Sequence, residues 1–599
     1  MAVKLPTAGS MWPVAVADVN YGDTSISVKK RCRIIMGKKW VRNDQGIALP
    51  LVLAVMAVMT ILSVAAFNVS TNQTLLVQKS IDRDEALYAA EQGYNHYLWK
   101  LNDDDIFYLD TTEYDCDTSE SGFDVYTLNG EETGNYRVQI RVARETVDGI
   151  EVPVRNRIVL RSTGWSENDS DHLRTIEVEV SKRTFTQHAM VTNNEINEYG
   201  DELYWVDDEV MYGPLHTNDT LYIGDYDPIF YGPVTYVNRI DISPENRISS
   251  NEVFRQGNSQ ADPLEFVSSN TDLLSHARIG GHYYNGCTYI YLKGDKYDIR
   301  RWDKDANTWK YNEVAYTPPS NYQGNNDQYE VGTYRANGNN YSSFAELRAD
   351  IPSLELPANG VIYVNGSTGD NGENSHNRYV YKFDRDFGNV FVCGQLDGKL
   401  TIAAANDLFI TGHDPCDWRR PNRISNFNRG INEDNKPGVT YSTTDFSQIM
   451  NGSDWVRTEV EGNGDDMLGL VAGQCIRIIH YNWPSQLSSR DWCWGGKGLG
   501  NRIDTAPDDI YIHAALFVRD ISYGFEYAED GSNKGEINLV GSITQRYRGF
   551  VGTTGGTGYN KIYSHDPRML YDAPPYFVEP ANTGWLSAKW RETSEHVPE

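Results

Sequence analysis

The feature that most constrains this chain is a long stretch without charge near its N-terminal end. No charged residue occurs between Asp44 and Lys79, and residues 47–67 are almost all Ala, Val, Leu, Ile and Met. As a helix that rises about 1.5 Å per residue, such a run crosses a bilayer core of about 30 Å. Basic residues precede the run and acidic residues follow it, which predicts a cytoplasmic N-terminus and an outward-facing remainder.

The residues before this run distinguish it from a cleaved secretory signal. A secretory signal has a shorter apolar core with a small-x-small site after it, whereas here the small residue, Gly46, comes first. Basic residues, then Gly46 and Ile47, then a long uncharged helix, resemble the type III signal of type IV pilins. The resemblance implies a prepilin peptidase that cuts between Gly46 and Ile47 and leaves the helix on the protein.

A second motif supports this resemblance. Residues 84–93 read Asp-Glu-Ala-Leu-Tyr-Ala-Ala-Glu-Gln-Gly, similar to the Ala-Ala-Glu-x-Gly end of the N-terminal helix in minor type IV pilins and pseudopilins; Glu91 and Gly93 belong to it. Major pilins carry a Glu at the fifth position after the cut, where this chain has Leu51. By resemblance that Glu pairs with the N-terminal ammonium of a neighbouring subunit, so Leu51 indicates a minor or tip subunit. The alternatives are an ordinary signal anchor for the apolar run and plain close packing for the small residues.

The helical pattern continues past the membrane segment. No proline interrupts it from Leu51 to Tyr97, and an apolar stripe at three-to-four spacing predicts one helix over residues 47–100. Pro50, Leu51 and Phe67 lie in its membrane and filament segment. Period-two alternation then predicts a small antiparallel sheet within residues 101–185, with strands at Tyr136 to Arg144, Asn156 to Ser162 and Arg174 to Val180. One long helix covered by such a sheet is typical of a pilin head.

A large all-β domain is predicted over residues 186–599. Short apolar runs recur there in two pieces joined at small residues, at 400–410, 468–478, 510–518 and 537–543. Such pairs are typical of the coils of a β-solenoid, here a right-handed β-helix, although a β-sandwich fits sequential short strands nearly as well. Polar inserts are predicted as loops at 320–340, 366–377 and 424–466. The fold class is therefore α+β and mainly β.

Three segments of this large region resemble a family of uncharacterised, large pilin-type surface proteins of bacteria. They read Tyr-Gly-Pro-Leu-His-Thr-Asn at 212–218, Phe-Tyr-Gly-Pro-Val at 230–234 and Tyr-Asn-Lys-Ile-Tyr-Ser-His-Asp-Pro-Arg at 559–568. The resemblance covers roughly residues 186–580. It implies a secreted, filament-linked protein without a known activity.

The composition limits the classes of partner. The formal net charge is −29, and because residues 1–46 are basic, the acidic excess lies beyond them. Such a surface argues against a nucleic-acid partner. Acidic loops are compatible with calcium, but the sequence has no complete calcium-loop pattern, and no cofactor or metal site is predicted.

The cysteines suggest an extracytoplasmic protein. Of seven, Cys32 precedes the predicted cut and six remain, an even number compatible with disulfides. Cys393 and Cys475 lie in strand-like runs, where a small buried thiol is at least as good a prediction. The better disulfide candidates, in polar or Gly-containing contexts, are Cys116, Cys287, Cys416 and Cys493.

Catalytic motifs are absent from the sequence. There is no GxSxG elbow, HExxH or P-loop. His216 and His565 lie near Asp219 and Asp566, but a His beside Gly, Pro and Asp is usually a turn residue bonded to the backbone. The sequence therefore predicts no catalytic residues and no enzyme.

These observations favour a structural and adhesive protein: a minor pilin-like subunit at the tip of a type IV pilus-like filament, or rare along it. The predicted partners are other pilins, prepilin peptidase, the inner membrane before assembly, and a surface or glycan ligand. We expect the inner membrane first and the cell surface afterwards. The alternatives are a tip pseudopilin of a type II secretion system and a tethered polysaccharide-active β-helix enzyme. Met36 is a candidate start, because residues 36–46 form a compact basic leader.

Overall fold

The structure is a computed structural model, and it falls into two compact units, residues 1–78 and 79–599. It describes residues 48–103, 115–117, 122–127, 129–147, 150–206, 209–224, 228–243, 250–318, 333–368, 382, 384–416, 436–451, 454–462, 464–482, 503–529, 533–570, 572–581, 584–594 and 596.

One long helix dominates the helical content of the described residues. It runs over 56 residues and contains Pro50 in its first turn, where a missing N–H costs little. The predicted helix over residues 47–100 is thus observed from Ala48 to Asp103. The helices are α1 Ala48–Asp103, α2 Ser250–Val253, α3 Thr271–Ile279 and α4 Phe344–Asp350, with 3₁₀ turns at Phe185–Gln187 and Pro567–Leu570.

The remainder of the described chain is mostly β structure. In chain order the strands up to the middle are β1 Asp115–Asp117, β2 Phe123–Tyr126, β3 Glu132–Val147, β4 Ile150–Ser166, β5 Asp169–Ser181, β6 Met190–Asn194, β7 Val210–Tyr212, β8 Leu215–Thr217, β9 Leu221–Ile223, β10 Ile229–Phe230, β11 Val234–Tyr236, β12 Ile240–Ile242, β13 Asn258–Gln260, β14 His282–Asn285, β15 Thr288–Gly294, β16 Lys296–Asp303, β17 Thr308–Tyr311, β18 Val314–Thr317, β19 Tyr334–Ala336 and β20 Asn339–Tyr341. The later strands are β21 Leu354–Glu355, β22 Val361–Asn365, β23 Val390–Leu396, β24 Lys399–Ala404, β25 Leu408–Ile410, β26 Gly438–Tyr441, β27 Thr444–Asn451, β28 Asp454–Gly462, β29 Met467–Ala472, β30 Ile476–Ile478, β31 Tyr481–Asn482, β32 Ile503–Asp504, β33 Ile510–Val518, β34 Tyr523–Phe525, β35 Asn533–Tyr547, β36 Gly558–His565 and β37 Leu586–Thr593.

A small antiparallel sheet follows the long helix. Its strand order is β1-β3-β4-β5-β37, with β2 also paired to β3. The three strands expected from period-two alternation are present as β3, β4 and β5, each longer than predicted. The inward side chains of these strands pack on the part of α1 beyond residue 79. The strand residues are Val138, Ile140, Leu160, Ile176 and Val178, and the helix residues are Ala90, Tyr97 and Leu101.

The last strand corrects the predicted organisation of the chain. We assigned all of residues 186–599 to the large β domain, but β37 returns to the small sheet and pairs antiparallel with β5, for example Trp590 with Val178. The large β region is therefore inserted between two neighbouring strands of the small sheet. Local alternation does not reveal this pairing, because the two strands are separated by about 400 residues of sequence.

The large sheet has 25 strands, and its central pairings are parallel. Ten strands follow one another in parallel in the order β13-β11-β8-β6-β35-β33-β29-β24-β22-β14. Their register aligns one column of buried side chains, here called the aliphatic column: Ile362, Ile402, Leu470, Leu516, Ile543, Met190, Leu215 and Val234. The eight strands that contribute to this column thus bury these side chains against those of their neighbours.

Both faces of the central strands in this order are covered. Alternate residues such as Tyr363, Val471 and Phe517 face a second cluster, which also contains Leu273 of α3 and Phe577. Parallel sheets buried on both faces read as continuous apolar runs instead of alternating ones. This explains the unbroken apolar character of β24 and β29, which is visible in the sequence.

The path of the chain through the large sheet is not sequential. The early strand β6 lies beside the late strand β35, and the chain proceeds from β6 to β13 at one end before β14 begins at the other. Residues 510–518 and 537–543, each predicted as two pieces, lie in the single strands β33 and β35.

Two of the predicted loops also contain strands. The 424–466 insert includes β26 and the hairpin β27–β28, and the 320–340 insert includes β19 and the start of β20. Polar composition misled here because these strands are stabilised by long-range contacts, such as the pairing of β26 with β23 and β33, which leave no local pattern in the sequence. Of the third insert, only residues 366–368 lie in the described part of the chain.

Candidate functional site: two surfaces of the N-terminal helix

The first surface of α1 is apolar and exposed. Every residue from 49 to 78 is exposed, including Leu51 at 62%, Met56 at 60% and Phe67 at 71%. Within the described residues, α1 is the one helix long and apolar enough to cross a membrane by length and composition. Thirty helical residues extend about 45 Å, which exceeds a bilayer core of about 30 Å.

Three polar side chains of this surface are hydrogen-bonded inside the helix itself. The hydroxyls of Thr60, Thr71 and Thr74 donate to the carbonyl oxygen four residues earlier, at 2.7, 2.9 and 3.0 Å. A hydroxyl bonded in this way needs no outside partner, and the cost of burying it in an apolar environment falls. The surface is therefore compatible with lipid or with other apolar helices.

The residues predicted for this part of the site have different positions. Pro50, Leu51 and Phe67 lie on the exposed surface, whereas Glu91 and Gly93 lie beyond it, where the helix meets the small sheet. The predicted cleavage residues Gly46 and Ile47 lie outside the described residues.

The second surface of α1, within residues 79–103, is built from small residues packed on the small sheet. A Cβ at Gly93 would lie 2.3 Å from Ser162 Oγ and 2.6 Å from Tyr136 Cδ2. A Cβ at Gly164 would lie 2.3 Å from the carbonyl oxygen of Ala86 and 2.4 Å from the amide nitrogen of Ala90. The Ala-Ala-Glu-x-Gly motif thus brings helix and strand backbones into close contact.

Gly164 is a contact residue that sequence reasoning missed. It appears in the sequence only as a separator between predicted strands, but the structure places it inside β4. A glycine within a strand often marks a close backbone approach. That signal identifies Gly164 as the partner of the small-residue motif on α1.

Polar contacts border this packed surface. Ser166 donates its hydroxyl hydrogen to Glu85 Oε2 at 2.7 Å, and His96 Nδ1 shares a hydrogen bond with the Tyr136 hydroxyl at 2.7 Å. Burial raises the pKa of Tyr136 to about 12 and lowers the pKa of His96, to which Lys100 also contributes. Both groups are therefore neutral at pH 7, as close packing requires.

The C-terminal strand is tied to the same body. Arg174 Nη2 donates to Glu592 Oε2 at 2.8 Å, and Glu177 accepts hydrogen bonds from Arg161 and Arg591. The backbone N–H of Trp585 donates to Asn102 Oδ1 on the last turn of α1, at 2.8 Å. The chain that leaves the small sheet after β5 is thus fixed to it again on its return.

The cysteines differ from the disulfide prediction. Cys287, Cys393, Cys416 and Cys475 are all buried thiols. This agrees with the alternative given for Cys393 and Cys475, but Cys287 and Cys416 are not joined in disulfides as their sequence contexts suggested.

Cys287 and Cys416 lie in an aromatic cluster, where their Sγ atoms approach Tyr289 Oη at 3.4 Å and the Tyr289 carbonyl oxygen at 3.5 Å. Their polar sequence neighbours gave no sign of that burial. The side chains of Cys116 and Cys493 lie outside the described part.

The two histidines noted in the sequence have structural partners. His216 lies in β8, where its Nε2–H donates to Asn218 Oδ1 at 2.9 Å and its Nδ1 shares a hydrogen bond with the Thr235 hydroxyl at 2.8 Å. Burial lowers the pKa of His216 to about 4. His565 Nε2–H donates to the Thr186 carbonyl oxygen at 2.8 Å, and burial lowers its pKa.

Their neighbouring carboxylates are occupied elsewhere. Asp219 accepts from the backbone N–H of Glu195 at 3.1 Å, and Asp566 accepts from Arg568 at 2.7 Å. These bonds hold adjacent strands and turns together.

No protein-family model matches this chain, and no curated protein matches it. A solved structure that is similar to part of it is the crystal structure of the competence-associated pilin ComZ from Thermus thermophilus. The sequence identity is 11%, the alignment covers 86% of this chain and 98% of that chain, and the TM-score is 0.25. A TM-score of 0.25 does not establish a shared fold.

Proposed function

We propose that this chain is a minor pilin-like subunit. It is anchored by α1, first in the inner membrane and then in a type IV pilus-like filament, and displays its large β region outside the cell. The observation that carries the proposal is the division of α1 into an exposed, charge-free surface and a small-residue surface packed on an antiparallel sheet.

The exposed surface of α1 requires an apolar environment. Apolar area in water costs about 25 cal/mol per Å² relative to burial. In water, the apolar side chains of residues 49–78 would carry this cost along the whole segment. A bilayer supplies the environment before assembly, and the helices of other pilins supply it afterwards.

In this proposal, cleavage of the sequence before α1 allows the helix to pass from the membrane into the filament. In the proposed pathway prepilin peptidase cuts between Gly46 and Ile47, which leaves a new N-terminal ammonium on the helix. Leu51 lacks the carboxylate that would pair with the ammonium of a neighbour in a low-dielectric core. This favours a terminal or rare position over repeated use along the filament.

The size of the displayed region also favours a terminal position. A compact body of about 500 residues has a radius of gyration of roughly 23 Å, whereas packed helices lie about 8–10 Å apart. Bodies of that size on neighbouring helices would collide, so we place the subunit at the tip or rarely along the shaft.

For the large β region we propose a β-solenoid. The aliphatic column and the in-register parallel pairings support it, since each coil of a solenoid buries its inward side chains against its neighbours. A β-sandwich is built mainly from antiparallel strands, so the parallel order favours the solenoid. The same region would provide the adhesive surface.

We propose that this role is structural and adhesive, not catalytic. The internal hydrogen bonds and lowered pKa values of His216 and His565 support a stabilising role for both residues.

Labelling of sheared surface filaments tests the proposal. Gold-labelled antibodies against the β region should bind filament ends in wild-type cells. The matched control is Gly46→Leu, which should keep the precursor in the membrane and give unlabelled filaments. Continuous labelling along the shaft at subunit spacing contradicts the tip position, and a wild-type protein absent from filaments contradicts the pilin-like role itself.

A further inference from the structure

A polar pocket lies where the hairpin β27–β28 leaves the large sheet. Its volume is about 280 Å³. Its floor is made by three neighbouring strands: Gln395 of β23 pairs with Thr440 of β26, and β26 pairs with β33, which contributes His513. Asp445 and Glu461, which face each other across the base of the hairpin, form one wall.

The backbone of the hairpin fits closely around this pocket. Gly462 has φ +94°, and a Cβ there would lie 2.3 Å from the Thr443 carbonyl oxygen. Glycine is therefore required where the hairpin returns to the sheet. The backbone of this wall is therefore closely defined where it returns to the sheet.

His513 presents a hydrogen-bond donor to the pocket. It is 5% exposed, its ring packs edge-on against Phe446 at 5.1 Å, and its Nδ1 accepts from the Tyr441 N–H at 3.3 Å. The proton of the neutral ring is therefore on Nε2, which has no hydrogen-bond partner among the described residues. Burial lowers the pKa of His513 to about 4, so the ring is neutral at pH 7.

Charges of both signs surround this donor. Lys436 Nζ donates to Asp445 Oδ2 at 2.9 Å, which neutralises one carboxylate of the wall. Glu461 lies opposite Asp445 in the hairpin, and like charges at directly opposed positions are destabilising. A ligand that donates hydrogen bonds to these carboxylates would relieve that repulsion.

The lining selects a class of ligand. Two carboxylates against one ammonium disfavour an anion, and the polar walls disfavour a hydrocarbon. Within the described residues no cluster of three or more His, Cys, Asp or Glu side chains is arranged for a metal ion. Neutral hydroxyl groups fit, because each can donate to Asp445 or Glu461 and accept from His513 Nε2–H or Lys436.

We propose that this pocket binds one neutral hexose unit of a surface polysaccharide. The volume of about 280 Å³ is slightly below that of pockets for drug-sized ligands, which begin at about 300 Å³, and suits a single sugar ring. The biological meaning of the site, adhesion to a glycan by a displayed protein, rests on the proposed function. The binding itself does not depend on filament assembly.

Saturation-transfer NMR on the full chain tests the site. The protein is held in micelles of a detergent without a sugar headgroup, and glucose, galactose, mannose and N-acetylglucosamine are the probes. One hexose should bind with a Kd on the order of 1 mM, because a ligand with so few atoms makes few contacts. At least one of the four should give saturation transfer that titrates in this range.

Variants locate the binding. Asp445→Asn and Glu461→Gln change half-exposed or exposed carboxylates without changing their volume, and each should weaken binding about tenfold. The matched control Asp241→Asn removes an exposed carboxylate of a surface ion pair that does not line the pocket, and should leave the Kd unchanged.

The cationic sugar glucosamine is added as a fifth probe for comparison. Three results overturn the proposal: no binding of any of the four neutral sugars up to 20 times the expected Kd, equal binding in the pocket variants and the wild type, or binding of glucosamine alone. Failure of the proposed function is distinguishable, because a chain that binds a hexose but never enters filaments retains the site and loses the pilin-like role.

Discussion

Residues 48–78 of α1 and the body formed by residues 79–599 use apolar side chains in opposite ways. In the first region every residue from 49 to 78 is exposed and none is charged. In the second region the aliphatic column is buried at every position, with exposures of 4% or less. The second region stabilises itself, whereas the first requires a surface outside the chain.

This difference shows that the two parts of α1 have separate roles. The second surface of α1 determines how the helix joins its own sheet, through Gly93 and Gly164. The exposed surface determines which environment the chain enters. Changes in residues 48–78 should therefore alter membrane insertion without altering the stability of the fold. Changes in residues 79–599 should alter the stability of the fold without altering membrane insertion.

The largest effect is expected from a charge in the exposed region. Val58→Lys places an ammonium near the centre of the apolar run and should disfavour membrane insertion by about 3 kcal/mol, more than a hundredfold in the insertion equilibrium. The measurement is the carbonate-resistant membrane fraction, with Val58→Leu as the control. A lower Tm of the remaining fold, with insertion intact, would break the comparison.

A methyl group added at the packed surface of α1 should lower the stability of the fold and leave membrane insertion unchanged. In Gly164→Ala the new Cβ would lie 2.3 Å from the backbone of Ala86, which cannot rotate away, and we expect a loss of about 2 kcal/mol in stability. Thermal unfolding in micelles measures it. The control is Gly555→Ala, where the nearest atom, Thr553 Oγ1, is 3.4 Å from the new Cβ. Unfolding curves that are equal for both variants contradict the close contact.

Acid should destabilise the large sheet through its buried histidines. Burial lowers the pKa of His216 to about 4, so between pH 6.5 and 4 the unfolded chain binds a proton that the folded chain does not. The contribution of His216 to stability should be nearly complete above pH 6.5 and fall as the pH falls, by about 1.8 kcal/mol from pH 7 to 5, at 1.36 kcal/mol per pKa unit.

His216→Gln removes the imidazole that binds this proton in the unfolded chain, and should therefore reduce the dependence of Tm on pH. The control His172→Gln changes an exposed histidine of the small sheet. If the slopes of wild type and His216→Gln coincide, the histidine is not held neutral by the fold.

The smallest effect concerns a helix cap within the body. The Ser343 hydroxyl accepts from the Glu346 N–H at 3.2 Å at the start of α4, so Ser343→Ala should cost about 1 kcal/mol and leave membrane insertion unchanged. Ser343→Asp, which also caps helices, should restore most of the loss in Tm. No recovery in the aspartate variant would indicate a role other than capping.

Local patterns were sufficient for the elements that rely on local contacts. Alternation predicted β3, β4 and β5, and the absence of charge and proline predicted α1. The order of the large sheet was not predictable, because β6 beside β35 and β37 beside β5 are long-range pairings that leave no local periodicity. The polar pocket was missed for the same reason, since Gln395, Asp445 and His513 are far apart in sequence.

The most direct test of the central claim is the N-terminus of the mature protein on the cell surface. Mass spectrometry of N-terminal peptides from sheared filaments should identify a chain that starts at Ile47. A mature protein that starts elsewhere, or keeps residues 36–46, would contradict processing as a pilin-like subunit and leave α1 as an ordinary membrane anchor.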